Sequence, residues 1–590
     1  YKHIKIEQSI TCPFEQCTTS CAFQSVASFK SHFYRHHYKK LKNETSISDH
    51  VQNIQPDPQY NFESLRDNLS GNDSQVLDFI SSNNSINLHS MYLKSLASTY
   101  LILQAKFFLS DAALQAIIDG ISDLNQISLN NIDHILQQNG QSNIAKIMRD
   151  QNLFEIAHRP SNGILRSPFI RKQYYRNNFN FVEPMDVYFE EPCNDKKLFF
   201  SYVSIIDTIK VLIGNRDLYE QCFTQTRSKG GLFTDFCSGE CYKTNSFFIN
   251  NPNGLQIILY QDSFEVCNPL GSSRKIHKIV GIYMTLGNIP PYNRSKVDQI
   301  QLVALCLDSH VKKFGFEKIF NTIMHDIIHL ETKGVQINDE VVKGTLVAVA
   351  GDNLGSHQIG GFTENFSTSN HLCRYCYANK NQLNKRDSIT YRTISSYEDD
   401  VTISTMLGEI TNGVKCNSVL NQSEYFHVCS PGLPPCLAHD IYEGILQYDF
   451  MLCINELIAK KYFTLDMLNE KIQTVRFNSE VQYENVPLIK KGEKLVGSAS
   501  ENLRLLLVIP FALYDMEIDN PCWEMLLLLR EINSILLSVN ISIGQVAYLK
   551  ILISEYIDAR VNLFPPIPLR PKHHYFSHYS YLIKKFGPLK

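Results

Sequence analysis

The sequence predicts an α/β protein, with a mixed sheet at its centre, much helix around it and one small ββα zinc finger ahead of it. Three observations lead there. Between about residues 245 and 352, three apolar runs of strand length, LQIILYQD, KIVGIYMTLGN and GTLVAVAGD, are punctuated by Gly, Asn and Asp. On both sides of this region, from Gln75 to about Asn152 and from Ser500 to Phe564, apolar residues recur every three or four positions, as an amphipathic helix requires. Near the start, residues 8–40 concentrate Cys and His. The chain has 590 residues, room for two to four domains, and its 44% hydrophobic and 19% charged content excludes wholesale disorder. With 56 Lys plus Arg against 59 Asp plus Glu the net charge is −3, which excludes a uniformly basic nucleic-acid coat but leaves room for local basic patches.

The first element is the finger. Cys12 and Cys17 are followed by His32 and then by His37 or His36, with Phe23 and Phe29 as a two-residue core. Such a segment is too short to build a core of its own, so Zn²⁺ binding becomes its folding energy. Arg35, Lys39, Lys40 and Lys42 follow and suit phosphate contact. Residues 41–75 are polar, with Pro, Gly, Asn and Ser, and read as a linker. Residues 76–240 form a helical, partly basic region. Within it Arg166, Arg171, Lys172 and Arg176 alternate with Phe169, Tyr174 and Tyr175, a composition that grips DNA through phosphate pairing and base stacking. Cys237 and Cys241 have no obvious partner pair and read as free buried thiols.

The β-rich core spans 245–365. Asp262 ends its first strand and Asp352 its last, with a second strand and a helix over about Val303–His329 between them. Strand, strand, helix, strand with an acid ending the first and last strand is the order of an RNase-H-like core. There, neighbouring strands bring two carboxylates together to hold divalent metals for phosphoryl transfer. The competing reading is that both acids are turn caps. Residues 366–500 read as an insertion. Cys373 and Cys376 form a CxxC knuckle, and Cys436 and His439 follow two prolines suited to a helix start. On that helix Cys436, His439 and Glu443 share a face, so Cys373, Cys376, Cys436 and His439 are predicted to hold a second Zn²⁺. Residues 501–590 carry three helical runs; Trp523, the only Trp, opens one of them and is expected in the core. Nowhere is there a run approaching the roughly 20 apolar residues of a membrane span, nor a Walker-type glycine loop.

Several stretches, in this order, resemble the CACTA (En/Spm-like) group of DDE transposases and their animal relatives: YQDSFEVCNPLGSS, IVGIYMTLGNIPP, AVAGDNLGSHQIGGFTENF, CRYC, PPCLAHDIYEG and FPPIPLRPKHHYFSHYSYLIKKFGPL. The likeness covers roughly 250–590. It implies a catalytic core with Asp262 and Asp352 as the first two acids, Mg²⁺ as their cofactor, and an insertion carrying a CxxC and a (C/D)xxH motif. It also implies that the finger and the helical segment bind DNA. A third acid, a Glu, is expected just beyond Lys590, so the chain reads as a fragment that is inactive as it stands; Glu443 is the one substitute within it. The expected function is a nuclear, transposon-derived, DNA- and zinc-binding protein, with self-association left open. The alternative is a domesticated zinc-finger protein that binds DNA or protein without catalysis.

Overall fold

The computed structural model describes residues 85–589, apart from 191–197, 224–229, 267–276, 338, 383–388 and 476–485. The predicted finger, with Cys12, Cys17, His32 and His36 or His37, and the linker 41–75 lie outside the described residues. What is described is mixed α/β, built on a mixed sheet.

Five helices come first: α1 (Ser85–Ala105), α2 (Asp111–Gln138), α3 (Ser142–Asp150), α4 (Leu153–His158) and α5 (Pro168–Asn178). Side-chain caps set the starts of α2, α4 and α5. Ser110 accepts from the Ala113 N–H at α2, and Ser167 accepts from Ile170 N–H at α5, where Pro168 takes a position whose own N–H would be unpaired. They enclose a small core of Leu93, Ala97, Tyr100, Leu114, Ile118, Ala157, Leu165 and Tyr175.

The sheet follows. Its strands are β1 (Met185–Tyr188), β2 (Phe199–Tyr202), β3 (Leu255–Glu265), β4 (Lys278–Leu286), β5 (Gln301–Leu307) and β6 (Gly344–Gly351), in the spatial order β1-β2-β5-β4-β3-β6. Neighbours run antiparallel except β3 and β6, which are parallel. Helix α6 (Ile205–Gly214) follows β2. Helix α7 (Glu317–Thr332) buries Ile319, Phe320, Ile323, Met324, Ile327 and Leu330 in the core that also takes in the sheet.

Two expectations need correction here. The helix predicted over Val303–His329 is a strand in its first residues, because QLVALCL is a continuous apolar run whose periodicity does not separate a buried strand from a helix; helix begins only at Asp308. The region 76–240 is not wholly helical either, since β1 and β2 extend the sheet from within it. These strands have four residues each, too few to carry a period.

Helix α8 (Asn353–Ile359) follows β6 directly, and α9 (Ile394–Leu407) lies in the insertion. A π-helical stretch, Ala438–Ile445, runs into α10 (Leu446–Ala459). The three predicted runs are α11 (Ala499–Ala512), α12 (Pro521–Leu536) and α13 (Ile543–Leu563), packed with α10 around a second core on which Trp523 rests partly buried. Short helices α14 (Pro571–Phe576) and α15 (Tyr579–Phe586) close the description. No described helix is long and apolar enough to cross a membrane.

Candidate functional site

Cys373 and Cys376 are buried, and the side chains that meet them are His574 and His578, from the α14–α15 segment. Cys373 Sγ lies 3.4 Å from His578 Nε2, Cys376 Sγ lies 3.1 Å from His574 Nε2, and the two Nε2 atoms are 3.2 Å apart. All four donor atoms lie within 4.8 Å of one another. Zinc bonds of about 2.0–2.3 Å place tetrahedral neighbours roughly 3.3–3.8 Å apart, so the spacing fits one ion. Backbone N–H groups of Tyr375 and Ala378 point at the sulfurs of Cys373 and Cys376, at 3.3 and 3.4 Å, and would stabilise thiolates. Burial opposes ionisation of Cys373, yet its hydrogen bond with Cys376 and the two imidazoles hold that thiol well below the ordinary value. Burial likewise holds His578 below its ordinary value, which keeps the imidazole in the neutral, ligating form. Two thiols and two Nε2 atoms facing one point satisfy a soft cation better than they satisfy each other. The group can therefore hold a metal ion.

This corrects the predicted ligand set. Cys436 and His439 do not join Cys373 and Cys376. They pair with each other, Cys436 Sγ to His439 Nδ1 at 3.1 Å, at the start of the π-helical stretch. The places given to them are taken by His574, on α14, and His578, just before α15, about 200 residues further along the chain.

Asp262 and Asp352 do come to one end of the sheet. In the parallel pair β3–β6, Gln261 stands opposite Gly351; Asp262 follows inside β3, paired with Gly281 and not at the strand's end as expected, because the antiparallel ladder with β4 carries β3 on to Glu265, while Asp352 comes directly after β6. Both line one cavity of about 990 Å³, with Gln261, Lys278 and Gln358 among its walls. Asp262 Oδ1 accepts from Ser263 N–H at 2.7 Å and its Oδ2 from the Tyr260 hydroxyl at 3.3 Å. Asp352 caps α8, its Oδ1 accepting from Gly355 N–H at 2.6 Å. A Cβ at Gly355 would stand 2.1 Å from Gln261 Oε1 and 3.1 Å from Asp352 Oδ1, so the Gln261 side chain would have to turn aside. Burial, then the charges of Asp262, Cys436 and Asp352, holds the Tyr260 hydroxyl above its ordinary value. His439 is lifted to about 9 by its hydrogen bond with Cys436, burial opposing, and by the charges of Cys436, Glu443 and Asp352. The Cys436–His439 pair thus lies within reach of the charge of Asp352 and takes no part in the metal centre. Glu443 lies 3.9 Å from His439 Nε2 and caps the first turn of α11 through Ala499 N–H at 3.1 Å.

The basic segment is less available than its composition suggests. Arg171 is 1% exposed and donates to Leu165 O at 3.0 Å; it belongs to the core of the N-terminal helices, which corrects its assignment to DNA contact. Arg166 donates to Gly163 O at 3.0 Å, while Lys172 and Arg176 pair at the surface with Asp111 and Glu183, each at 2.8 Å. Of the aromatic residues there, Phe169 is exposed and Tyr175 buried. Cys241 is half-buried, bonds to Ser430 O at 3.4 Å and is pushed up to about 11 by burial; it is an inert thiol.

The residues that sequence reasoning missed are His574 and His578. Their signal was present as HHYFSH, two imidazoles four apart, but CLAH stands closer in sequence to CRYC and competed for the same role. No protein-family model matches this chain, and no curated protein is similar enough to match it.

Proposed function

We propose that this chain carries an RNase-H-like core of the transposase type, with Asp262 and Asp352 as the first two of the acids that would hold divalent metal for phosphoryl transfer on DNA. The observation that carries the proposal is the parallel register of β3 and β6, which sets the two acids side by side at the mouth of a cavity. The sheet supports the same reading. Three antiparallel strands, β3, β4 and β5, have a fourth, β6, running parallel to the first on its other side, and the first and fourth strands bear the acids. Bound Mg²⁺ would supply the positive charge that activates an attacking oxygen and stabilises a leaving one. The chain's own part is orientation: Gly355 N–H fixes one oxygen of Asp352, and Ser263 N–H with the Tyr260 hydroxyl fixes Asp262. Zn²⁺ in the Cys373, Cys376, His574 and His578 centre ties the insertion to the last helices, a structural site with all four positions taken by protein. DNA as partner and the nucleus as compartment belong to this proposal.

The cap formed by Asp352 also favours a second reading, a DNA- or protein-binding protein in which neither acid holds a metal ion. Titration with Mn²⁺, followed by its electron paramagnetic resonance signal, separates the two. Under the first reading the wild-type chain binds Mn²⁺, and Asp262→Asn or Asp352→Asn weakens that binding at least tenfold. Wild-type protein without a Mn²⁺ site, or variants that bind as well as wild type, would establish the second.

A further inference from the structure

Between the two thiols of the metal centre stands a buried cation. Arg374 is 2% exposed, and its guanidinium lies 4.5 Å from the ring centre of Tyr375 and 5.6 Å from that of Tyr575. Nη2 donates to Pro434 O at 3.2 Å, and Nη1 donates to Asn353 Oδ1 at 2.7 Å. Asn353 in turn donates from Nδ2 to Asp440 Oδ1 at 2.6 Å, and Asp440, with no exposed surface, takes a further hydrogen bond from the Tyr579 hydroxyl at 3.0 Å.

Each group in this chain of contacts is next to something that matters. Arg374 separates the ligands Cys373 and Cys376, Tyr575 follows His574, and Tyr579 follows His578. Asn353 follows Asp352, whose carboxylate is oriented by the first turn of the helix that Asn353 begins. Asp440 follows His439, which lies within reach of the same acid's charge. Both ligand-bearing segments, one from the insertion and one from the last helices, therefore send a neighbouring side chain to the same pair, the half-buried Asn353 and the buried Asp440. A metal ion holding the four ligands fixes both senders at once. Without it the two segments lose the bond that joins them, and the hydrogen bonds of Asn353 must hold the first turn of α8 alone.

We propose that Arg374, Asn353, Asp440 and Tyr579 are positioning residues that transmit occupancy of the Cys₂His₂ centre to Asp352, so that a metal ion in that centre raises the affinity of the acidic pair for a divalent cation. This rests on the reading of Asp262 and Asp352 as a divalent-metal pair. Coupling between two sites is a free energy shared by both and is measured as a thermodynamic cycle.

The test uses the full chain, with zinc content, melting temperature and Mn²⁺ affinity measured on each sample. Tyr579→Phe removes one hydroxyl and Arg374→Gln removes the link to Asn353. Both are expected to keep the metal of the Cys₂His₂ centre and to bind Mn²⁺ at least fivefold more weakly than wild type. Zinc-free wild type, after the chelator has been removed, is expected to show a loss of similar size, and removing zinc from Tyr579→Phe to cost less than it costs wild type. Where Arg374→Gln or the zinc-free chain fails to fold, Tyr579→Phe decides alone. A variant with its zinc in place and wild-type Mn²⁺ affinity overturns the coupling, even if its melting temperature falls, because a merely structural network would lower stability and leave the acids unchanged. Wild type that binds no Mn²⁺ overturns the acidic-pair reading and this inference with it.

Discussion

His357 and His427 are two imidazoles that the fold keeps without charge. Both are buried, with His357 Nδ1 2.8 Å from Thr363 O and His427 Nδ1 accepting from Cys429 N–H at 3.1 Å. Burial pushes His357 down to about 3, with Arg374 adding to the effect, and pushes His427 down to about 4. An unfolded histidine takes its proton near pH 6.5. Their neutral state therefore contributes stability that is fully present above about pH 6.5 and is lost as pH falls toward about 4 and 3, at roughly 1.4 kcal/mol per pH unit for each proton withheld. The urea midpoint should accordingly fall between pH 7 and pH 5. His427→Asn, which keeps an acceptor for Cys429 N–H but does not titrate, should make that fall shallower; a midpoint equally steep in the variant would show that His427 is not one of the responsible groups.

At the scale of elements, the metal centre distinguishes the predicted ligand set from the observed one. Cys376→Ser should lower the zinc content by one ion per chain and lower the melting temperature, whereas Cys436→Ser should leave the zinc content unchanged. Equal loss in both would restore Cys436 to the ligand set. The turn from β6 into α8 offers a second check. Gly355→Ala puts a methyl group against Gln261 and Asp352, so the variant should lose about 1–3 kcal/mol in denaturant unfolding and bind Mn²⁺ more weakly. What was legible in the sequence follows from length and punctuation. Strands β3, β4 and β6 are eight residues or longer, so they could be read, and with them Asp352 directly after β6; Asp262 does not end β3, which runs on to Glu265. Strand β5 could not, because its apolar run leads into helix without a break. The CxxC knuckle is local and was readable; its partners depend on which distant helix folds back, which no spacing records. Arg171 failed for a related reason, since a cation among aromatic residues reads alike whether the rings face water or a core.

Across the whole molecule, the helical half is fastened by one buried acid. Asp449, on α10 and with no exposed surface, accepts from Arg560 Nε at 2.8 Å and from the Tyr556 hydroxyl at 2.6 Å, and meets His573 Nε2 at 2.9 Å. Burial opposes its charge, but His573, Arg560 and Tyr556 together hold its carboxyl below the ordinary range. The stability it contributes is present above about pH 4 and is lost as pH falls through the lower folded value. Asp449→Ala would strand Arg560, itself 2% exposed, and should cost about 3–5 kcal/mol, read as a lower urea midpoint at neutral pH. A loss under 1 kcal/mol would mean that water or a neighbour takes over the guanidinium. His573 joins this pair while its neighbour His574 faces Cys376, so α14 fastens α10 and the metal centre from adjacent residues.

The separation of 205 residues between Cys373 and His578 sets an order of events during synthesis. When the knuckle leaves the ribosome it has two thiols and nothing to complete them. The imidazoles arrive only after the insertion, α10 and the three long helices have been made. Capture of a metal ion by all four ligands is therefore a late step, and until then the nascent chain carries an open pair of cysteines that can be oxidised or take up a soft metal by themselves. Closing so long a loop has an entropic cost that grows only slowly with its length, so the helices that fold in between do most to bring the two halves of the site together.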